Sequence, residues 1–399
     1  LLQGRENKLH IGIFGRTNSG KSSFINSLTG QDISIVSNIP GTTTDPVKKS
    51  IEILGLGNVI IIDTAGIDDY SELGQKRILK TMQILNNIDI AIIIFSENTF
   101  DENDQKLLEV FNSKKLPYLI IFNKCDLEGL SPELSEKIKN KYSKEIIEIS
   151  ALKNINLESV INSLIQVKKS LSASKFSLLH GLVEYGDVVL LITPIDSEAP
   201  EGRMILPQVN AIRNSIDEGC ITIVLKESEL ELFFKNFNIK PKIAITDSQV
   251  FKKVDKIIPK DIMLTGFSIL LARQKGDFEE YLKGTPKISE LKDGDRILLL
   301  ESCSHTSSCE DIGRVKIPRW IREFTGKTLE FDVVAGLDNL NNDIESYSLV
   351  IQCGACVITR KQLINRLKNA KAANIPITNY GMAIAYLQGV YNRAIQAFI

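Results

Sequence analysis

Near the start of the chain, Gly15-Arg16-Thr17-Asn18-Ser19-Gly20-Lys21-Ser22 follows the apolar run His10-Ile11-Gly12-Ile13-Phe14 and precedes a helix-forming stretch from Ser23 to Leu28. Strand, glycine-rich turn and helix in this order form a P-loop, the setting in which a backbone wraps a phosphate group. Gly15 and Gly20 allow the wrap, and successive amides from Asn18 and Ser19 to the helix start at Ser22 and Ser23 donate to the anion. Lys21 reaches the β and γ oxygens, and the Ser22 hydroxyl ligates Mg²⁺. The alternative, a glycine turn that merely precedes a helix, does not account for the full eight-residue match.

A second group with chemical potential lies in the last quarter of the chain, which holds four of its six cysteines. The strand pattern Arg296 to Leu300 runs into Glu301-Ser302-Cys303-Ser304-His305, and the pattern Leu349 to Gln352 runs into Cys353-Gly354-Ala355-Cys356. If these two strands are neighbours, both tips converge on one point. The C-x-x-C spacing lets two thiolates face a common metal, and the following helix begins where its amides stabilise negative charge. Three thiolates, Cys303, Cys353 and Cys356, with one weak or missing ligand are the pattern of a [4Fe–4S] cluster with an open iron. Zinc competes, since three Cys and His305 would close a tetrahedral site. Candidates for the fourth position are His305, exchangeable water and Glu301, although a lone His is more often a hydrogen-bonding residue than a ligand. Cys309 reads as a bystander in a polar loop, Cys125 as a filler and Cys220 as a small hydrophobe opening a strand.

Four further segments follow the P-loop. Gly41-Thr42-Thr43-Thr44-Asp45 offers the Thr43 hydroxyl to Mg²⁺, and Asp63-Thr64-Ala65-Gly66 closes the strand Val59 to Ile62, with Asp63 beside the metal and Gly66 able to rotate onto a γ-phosphate. Asn123-Lys124-Cys125-Asp126 closes the strand Tyr118 to Phe122, where the Asp126 carboxylate selects guanine by accepting from its N1 and exocyclic amine. Ser150-Ala151-Leu152 closes the strand Ile146 to Ile149 as a donor loop for guanine O6. Together these segments resemble the TrmE-Era branch of GTPases over roughly the first two fifths of the chain. After Gly66 stands Ile67, so no side chain there orients an attacking water, and intrinsic hydrolysis is expected to be slow. In the TrmE-like branch a P-loop asparagine ligates K⁺; Asn18 matches that position, and the resemblance implies K⁺ activation, with simple loop capping as the alternative.

The elements around these motifs set the architecture. A length of 399 residues predicts two or three domains, and the expected fold is α/β: a P-loop GTPase domain over 1–173, then two smaller α/β domains with mainly parallel sheets over 175–265 and 266–399. The small-residue stretch Ser170 to Ser174 reads as the linker after a helix from Leu157 to Leu171. In the middle domain, buried strands Asp187 to Thr193 and Cys220 to Leu225, then Lys242 to Thr246 and Ile262 to Leu264, alternate with helices Pro207 to Glu218, Glu229 to Phe237 and Ser248 to Val254. No Gly-rich phosphate loop lies among them, so docking or dimerisation is the expected use. The third domain adds helices near Phe267 to Lys275, Arg319 to Thr325 and Lys361 to Ala373, and Met382 to Ile399 reads as a packing helix.

The 48 Lys and Arg against 49 Asp and Glu leave a net charge of -1, which supplies no global basic field for nucleic acid. No apolar run approaches a membrane span, and the polar start from Leu1 to Lys8 lacks signal-peptide order, so a cytoplasmic location without membrane or nucleic-acid partners is expected.

The order of GTPase motifs, small α/β domain, C-x-H and C-x-x-C resembles the HydF family, GTPase scaffolds of [FeFe]-hydrogenase maturation, across the whole chain. The stretches Asp311 to Trp320 and Ile377 to Gly381 carry the same resemblance. It implies a GTP-hydrolysing homodimer that holds a [4Fe–4S] cluster, accepts a transient di-iron precursor and delivers it to apo-[FeFe]-hydrogenase, with radical-SAM maturases as partners. The family usually has His immediately before C-x-x-C; Gln352 stands there instead, so imidazole ligation at that position is excluded. The rival readings are a ribosome- or tRNA-associated GTPase with a zinc-binding module, and an electron-transfer protein with four fixed cluster ligands.

Overall fold

The computed structural model describes residues 8–29, 35–39, 47–64, 84–173, 177–194, 204–302, 311–336 and 343–399. Contacts divide the chain into two compact units, Leu1–Ser174 and Lys175–Ile399.

The first unit is built on strands β1 (Leu9–Phe14), β2 (Ile35–Ile39), β3 (Val47–Ile53), β4 (Gly57–Asp63), β5 (Ile90–Phe95), β6 (Tyr118–Phe122) and β7 (Ile146–Glu148), in the order β2-β3-β4-β1-β5-β6-β7. The pairings β4-β1-β5-β6-β7 are parallel, and the β2 and β3 pairings are antiparallel. β5 reads Ile-Ala-Ile-Ile-Ile-Phe and is buried at every position, as a central parallel strand covered on both faces must be. One face packs Ile11, Ile13, Ile92 and Ile94 against Phe24 and Leu164, and the other packs Phe14, Ile93 and Phe95 against Leu108 and Phe111. The helix Glu102–Ser113 starts at Asp101, whose side chain accepts from the amides of Asn103 and Asp104 while the Asp104 side chain returns to the Asp101 amide. The helix expected to end at Leu171 continues to Ala173, through the small residues read as a linker. Parallel pairing brings the C-terminal ends of β1, β4, β6 and β7 to one sheet edge, with Ile13 opposite Asp63 and Phe122 opposite Glu148.

The second unit carries two four-stranded sheets, both parallel throughout. β8 (Val188–Ile192), β9 (Ile221–Leu225), β10 (Ile243–Thr246) and β11 (Met263–Gly266) stand in the order β11-β10-β8-β9. β12 (Arg296–Leu300), β13 (Glu330–Val334), β14 (Leu349–Gln352) and β15 (Ile377–Asn379) stand in the order β13-β12-β14-β15. The run from Cys220 to Leu225, read as a buried strand, is an edge: Ile221 is 58% and Val224 41% exposed. Its apolar residues fit a strand, but among the described residues no strand pairs with its outer side, and Ile221 and Val224 stay exposed there.

The helix Phe267–Lys275 belongs to both cores of this unit. Phe267, Leu270 and Leu271 pack with Val189, Leu191 and Ile245 of the first sheet, whereas Ile269 and Ala272 pack with Leu298, Leu300 and Val350 of the second. The C-terminal segment forms two helices, Tyr380–Leu387 and Tyr391–Ile395, separated at Gly389, whose φ of 75° breaks the continuous helix expected there. Arg393 ties this segment to the first sheet by donating to the carbonyls of Asp255, Ile258, Pro259 and Ile262. No helix among the described residues is long and apolar enough to cross a membrane.

Candidate nucleotide and metal sites

The glycine-rich turn leaves β1 at Gly15, where φ is 142° and an added Cβ would stand 2.2 Å from the Ile94 carbonyl oxygen. Gly20, at φ 91°, would bring a Cβ within 2.1 Å of Asn123 Nδ2, so both glycines are required by conformation and by space. Asn18 adopts the left-handed region at φ 64°, which asparagine tolerates better than most residues. The buried Lys21 ammonium lies across the turn, donating to Gly15 O at 2.8 Å and Arg16 O at 2.5 Å. Ser19 closes the turn through its hydroxyl, 2.9 Å from Arg16 O, and Ser22 and Ser23 stand exposed at the start of the helix Lys21–Thr29. Arg16 forms an ion pair with Asp101, which fastens the turn to the cap of the helix Glu102–Ser113.

Asp63 ends β4 beside the turn, and Thr64 follows it with its hydroxyl donating to Ile13 O at 2.6 Å. Burial raises the Asp63 carboxyl above its ordinary value, against the opposing pull of Lys21 and Lys49. A cation bound there would favour the carboxylate. Thr43 and Gly66, the other expected contacts to metal and γ-phosphate, lie outside the described residues.

Asn123 connects the turn to the base-reading loops. It is 3% exposed, its Nδ2 donates to Ser19 O at 3.0 Å, and its Oδ1 accepts from the Ala151 amide at 3.0 Å. Lys124 has φ 66°, and its ammonium donates to Glu97 at 2.7 Å. The Asp126 carboxyl is held below its ordinary value by hydrogen bonds, chiefly from Ser150 and then from Lys153, whose Nζ is 3.3 Å away. Ser150 is fully buried and accepts from the Lys153 amide at 3.2 Å, so one short loop orients both Asp126 and Ala151. Burial, reinforced by Asp126 and Glu148, pushes the Cys125 thiol up, away from the charged form a ligand or nucleophile needs.

In the second unit, β12 and β14 are hydrogen-bonded neighbours with Leu300 opposite Gln352, so the strand tips that lead to the cysteines do stand side by side. The Cys353 sulfur accepts from the Ser302 backbone amide at 3.1 Å and lies 3.4 Å from the Gln352 side-chain nitrogen Nε2, and its thiol hydrogen donates to Ser302 Oγ at 3.0 Å. The C-x-x-C turn passes through Ala355 at φ 54°, and Lys275 fixes it by donating to Ala355 O at 3.0 Å and Ile358 O at 3.2 Å. Cys356 is half-buried against the core of the first sheet. Cys303, His305 and Cys309 lie outside the described residues, among which no three His, Cys, Asp or Glu side chains gather as a metal site. Two sulfurs on one tight turn, with donors aimed at one of them, suit a thiolate-bound metal centre. Glu301 is 3% exposed and its Oε2 takes the Arg314 guanidinium fork at 3.0 and 2.9 Å, so one of its two oxygens is committed to that pair.

Several of these residues carry no motif signal. Arg16 varies freely within the phosphate-loop pattern, and Ser302 and Gln352 acquire their role only through strand pairing. Asp101 was legible in principle, since Asp101-x-x-Asp104 before a helix is a capping signature.

Residues 178–276 match the hydrogen maturase F dimerization domain, residues 279–397 the hydrogen maturase F tetramerization domain, and residues 10–124 a GTPase family described as 50S ribosome-binding GTPase. Among relatives, GTPase Der of Mycoplasmopsis pulmonis is 36% identical over 192 residues, covering 45% of this chain and 44% of that one. The tRNA modification GTPase MnmE of Lachnoclostridium phytofermentans is 30% identical over 233 residues, covering 54% and 50%. The chain thus spans about half the length of these curated relatives. Among solved structures, Aquifex aeolicus Era bound to GDP and aluminium fluoride is 27% identical over 40% of this chain and 56% of that one, with a TM-score of 0.34. A GTPase domain followed by these two consecutive modules over residues 178–397 places the chain in the hydrogen maturase F family.

Proposed function

We propose that the chain is a GTP-hydrolysing iron–sulfur scaffold that carries a di-iron precursor to apo-[FeFe]-hydrogenase. The observation that carries this reading is the pairing of β12 with β14, which sets the residue before Cys303 against Cys353 in a protein of this family. Cys353 and Cys356, with Cys303, hold the [4Fe–4S] cluster, and His305 is the candidate for a fourth, exchangeable position. When bound, such a cluster supplies an iron open to a bridging ligand from the cargo.

In the GTPase domain, Lys21 neutralises phosphate charge, and Ser22, Thr43 and Asp63 hold Mg²⁺. Asn18 ligates a K⁺ ion that supplies charge where an arginine finger is lacking. Asp126 reads guanine while Asn123 locks the P-loop to the Ala151 amide loop, a tie supported by its two buried hydrogen bonds. Ile67 in place of a water-orienting glutamine makes the nucleotide cycle slow, suited to timing partner exchange rather than to turnover. Self-association proceeds through the edge strand β9, whose outer backbone edge pairs with no strand among the described residues and whose exposed Ile221 and Val224 admit a second copy. Radical-SAM maturases would load the cargo. The ribosome- or tRNA-associated reading rests only on the name of the family matched over residues 10–124 and on the names borne by partial relatives, while residues 178–276 and 279–397 match other modules.

The test is metal content and electron paramagnetic resonance on protein purified without oxygen. The expected result is a reducible [4Fe–4S] signal that Ser at Cys303, Cys353 or Cys356 removes. Stoichiometric zinc, with no iron taken up on reconstitution, would overturn the reading.

A further inference from the structure

We infer that Gln352 and Ser302 form a donor relay aimed at the Cys353 sulfur, and that this relay tunes the reduction potential of the metal centre. The inference rests on the cluster reading above. Gln352 is fully buried at the end of β14, and its Nε2 stands 3.1 Å from Ser302 Oγ, 3.3 Å from Cys353 O and 3.4 Å from Cys353 Sγ. The Cys353 carbonyl can only accept, so the amide nitrogen, not the oxygen, must face this group. That orientation leaves Gln352 Oε1 buried with no hydrogen-bond partner, a cost the fold sustains while the donor end of the same amide is fully used. Asn379 anchors the backbone beneath it, its Nδ2 donating to Gln352 O and Cys353 O at 3.4 Å each.

The proton count gives the relay its direction. With a free thiol, Cys353 donates to Ser302 Oγ. A sulfur bound to iron would have released its proton to solvent, and Ser302 Oγ, already accepting from Gln352, would turn its own hydrogen to the sulfur. Together with the Ser302 amide at 3.1 Å, the ligating sulfur would then accept from backbone and hydroxyl, while the two Gln352 Nε2 hydrogens serve Ser302 Oγ and Cys353 O. Hydrogen bonds to a cluster's sulfurs stabilise its more negative, reduced form and raise the potential. Gln352 and Ser302 are positioning residues in this scheme; neither touches the metal.

The test is the midpoint potential of the reconstituted cluster in the full-length protein, with iron content and thermal midpoint read on each sample. Gln352→Met preserves volume without a donor, and Ser302→Ala removes the hydroxyl but keeps the backbone amide. Each should shift the one-electron equilibrium toward the oxidised form by about threefold to tenfold, the upper limit corresponding to a potential about 59 mV more negative. Ser302→Thr, which keeps the hydroxyl, should retain the wild-type potential. An unchanged potential in either folded, iron-loaded variant overturns the relay while leaving the cluster reading intact. If Gln352→Met does not fold, Ser302→Ala and Ser302→Thr decide. A wild-type protein that binds no iron overturns both readings.

Discussion

Replacing Asn123 with Ala should loosen two loops at once. The side chain makes two buried hydrogen bonds of 3.0 Å, to Ser19 O and from Ala151 N, and is 3% exposed. Each bond contributes about 0.5–1.5 kcal/mol net, and a buried group left without a partner costs about 1–3 kcal/mol, so the expected loss is about 2–4 kcal/mol once the loops relax partly toward water. Gly20→Ala provides an internal check, because its Cβ would meet Asn123 Nδ2 at 2.1 Å. That clash vanishes when residue 123 is already Ala, leaving only the strain of the Gly20 φ of 91°. Gly20→Ala should therefore destabilise the Asn123→Ala background less than the wild type, a coupling of about 1 kcal/mol or more between touching sites. The assay is urea unfolding of nucleotide-free protein, following the transition that added GTP moves to higher urea, since ligand binding marks the first unit. Amide exchange at Ala151 should quicken in parallel. A loss under about 0.5 kcal/mol for Asn123→Ala, or additive effects for the pair, would refute this account of Asn123 as the tie between the loops.

Exchanging Na⁺ for K⁺ should raise the GTPase rate, and Asn18→Ala should abolish the response; a rate indifferent to the cation removes the K⁺ assignment. Because burial raises the Asp63 carboxyl, Mg²⁺-dependent GTP affinity should begin to fall at a higher pH than a solvated aspartate allows as acid is added. In metal-free protein the sign reverses: the folded state binds the proton more readily, so this group's contribution to stability is lost as pH rises through the raised value. Val224→Lys on the exposed edge of β9 should shift the protein toward monomer by several-fold in sedimentation, with the unfolding midpoint nearly unchanged.

The fold was legible wherever a short apolar run ended in a motif. β6, β12 and β14 have the predicted limits because their side chains are buried in a parallel sheet and a polar loop follows at once. β13 and β15 were not foreseen. Glu-Phe-Asp-Val-Val is a half-exposed edge, and Ile-Thr-Asn has three residues, too few to show a period. The sequence of β9 shows a strand but not an edge, since exposure depends on which strands pair beyond it. At the candidate sites, Lys21, Asp63, Asn123 and Asp126 could be named because chemistry fixes their spacing. The contacts of Ser302, Gln352 and Arg16 could not, because each is made to a partner between 50 and 85 residues away in sequence.

One rule of parallel sheets positions both candidate sites, but they are stiffened differently. Around the P-loop, backbone carbonyls and a buried amide hold the cation and the turn, so the nucleotide meets donors already in place. Around Cys353, the local donors face sulfur, and the fixing comes from behind: Lys275 holds the C-x-x-C turn by two carbonyls while the same helix buries Phe267 and Leu271 in the other sheet's core. Moving that helix to accommodate a different loop shape would disturb both hydrophobic cores, since protein interiors pack too densely to yield locally. The backbone of the cysteine turn is therefore fixed through a helix that also packs on the sheet carrying β9, so in the proposed reading the seam for self-association and the cluster site would share one mechanical support within the second unit.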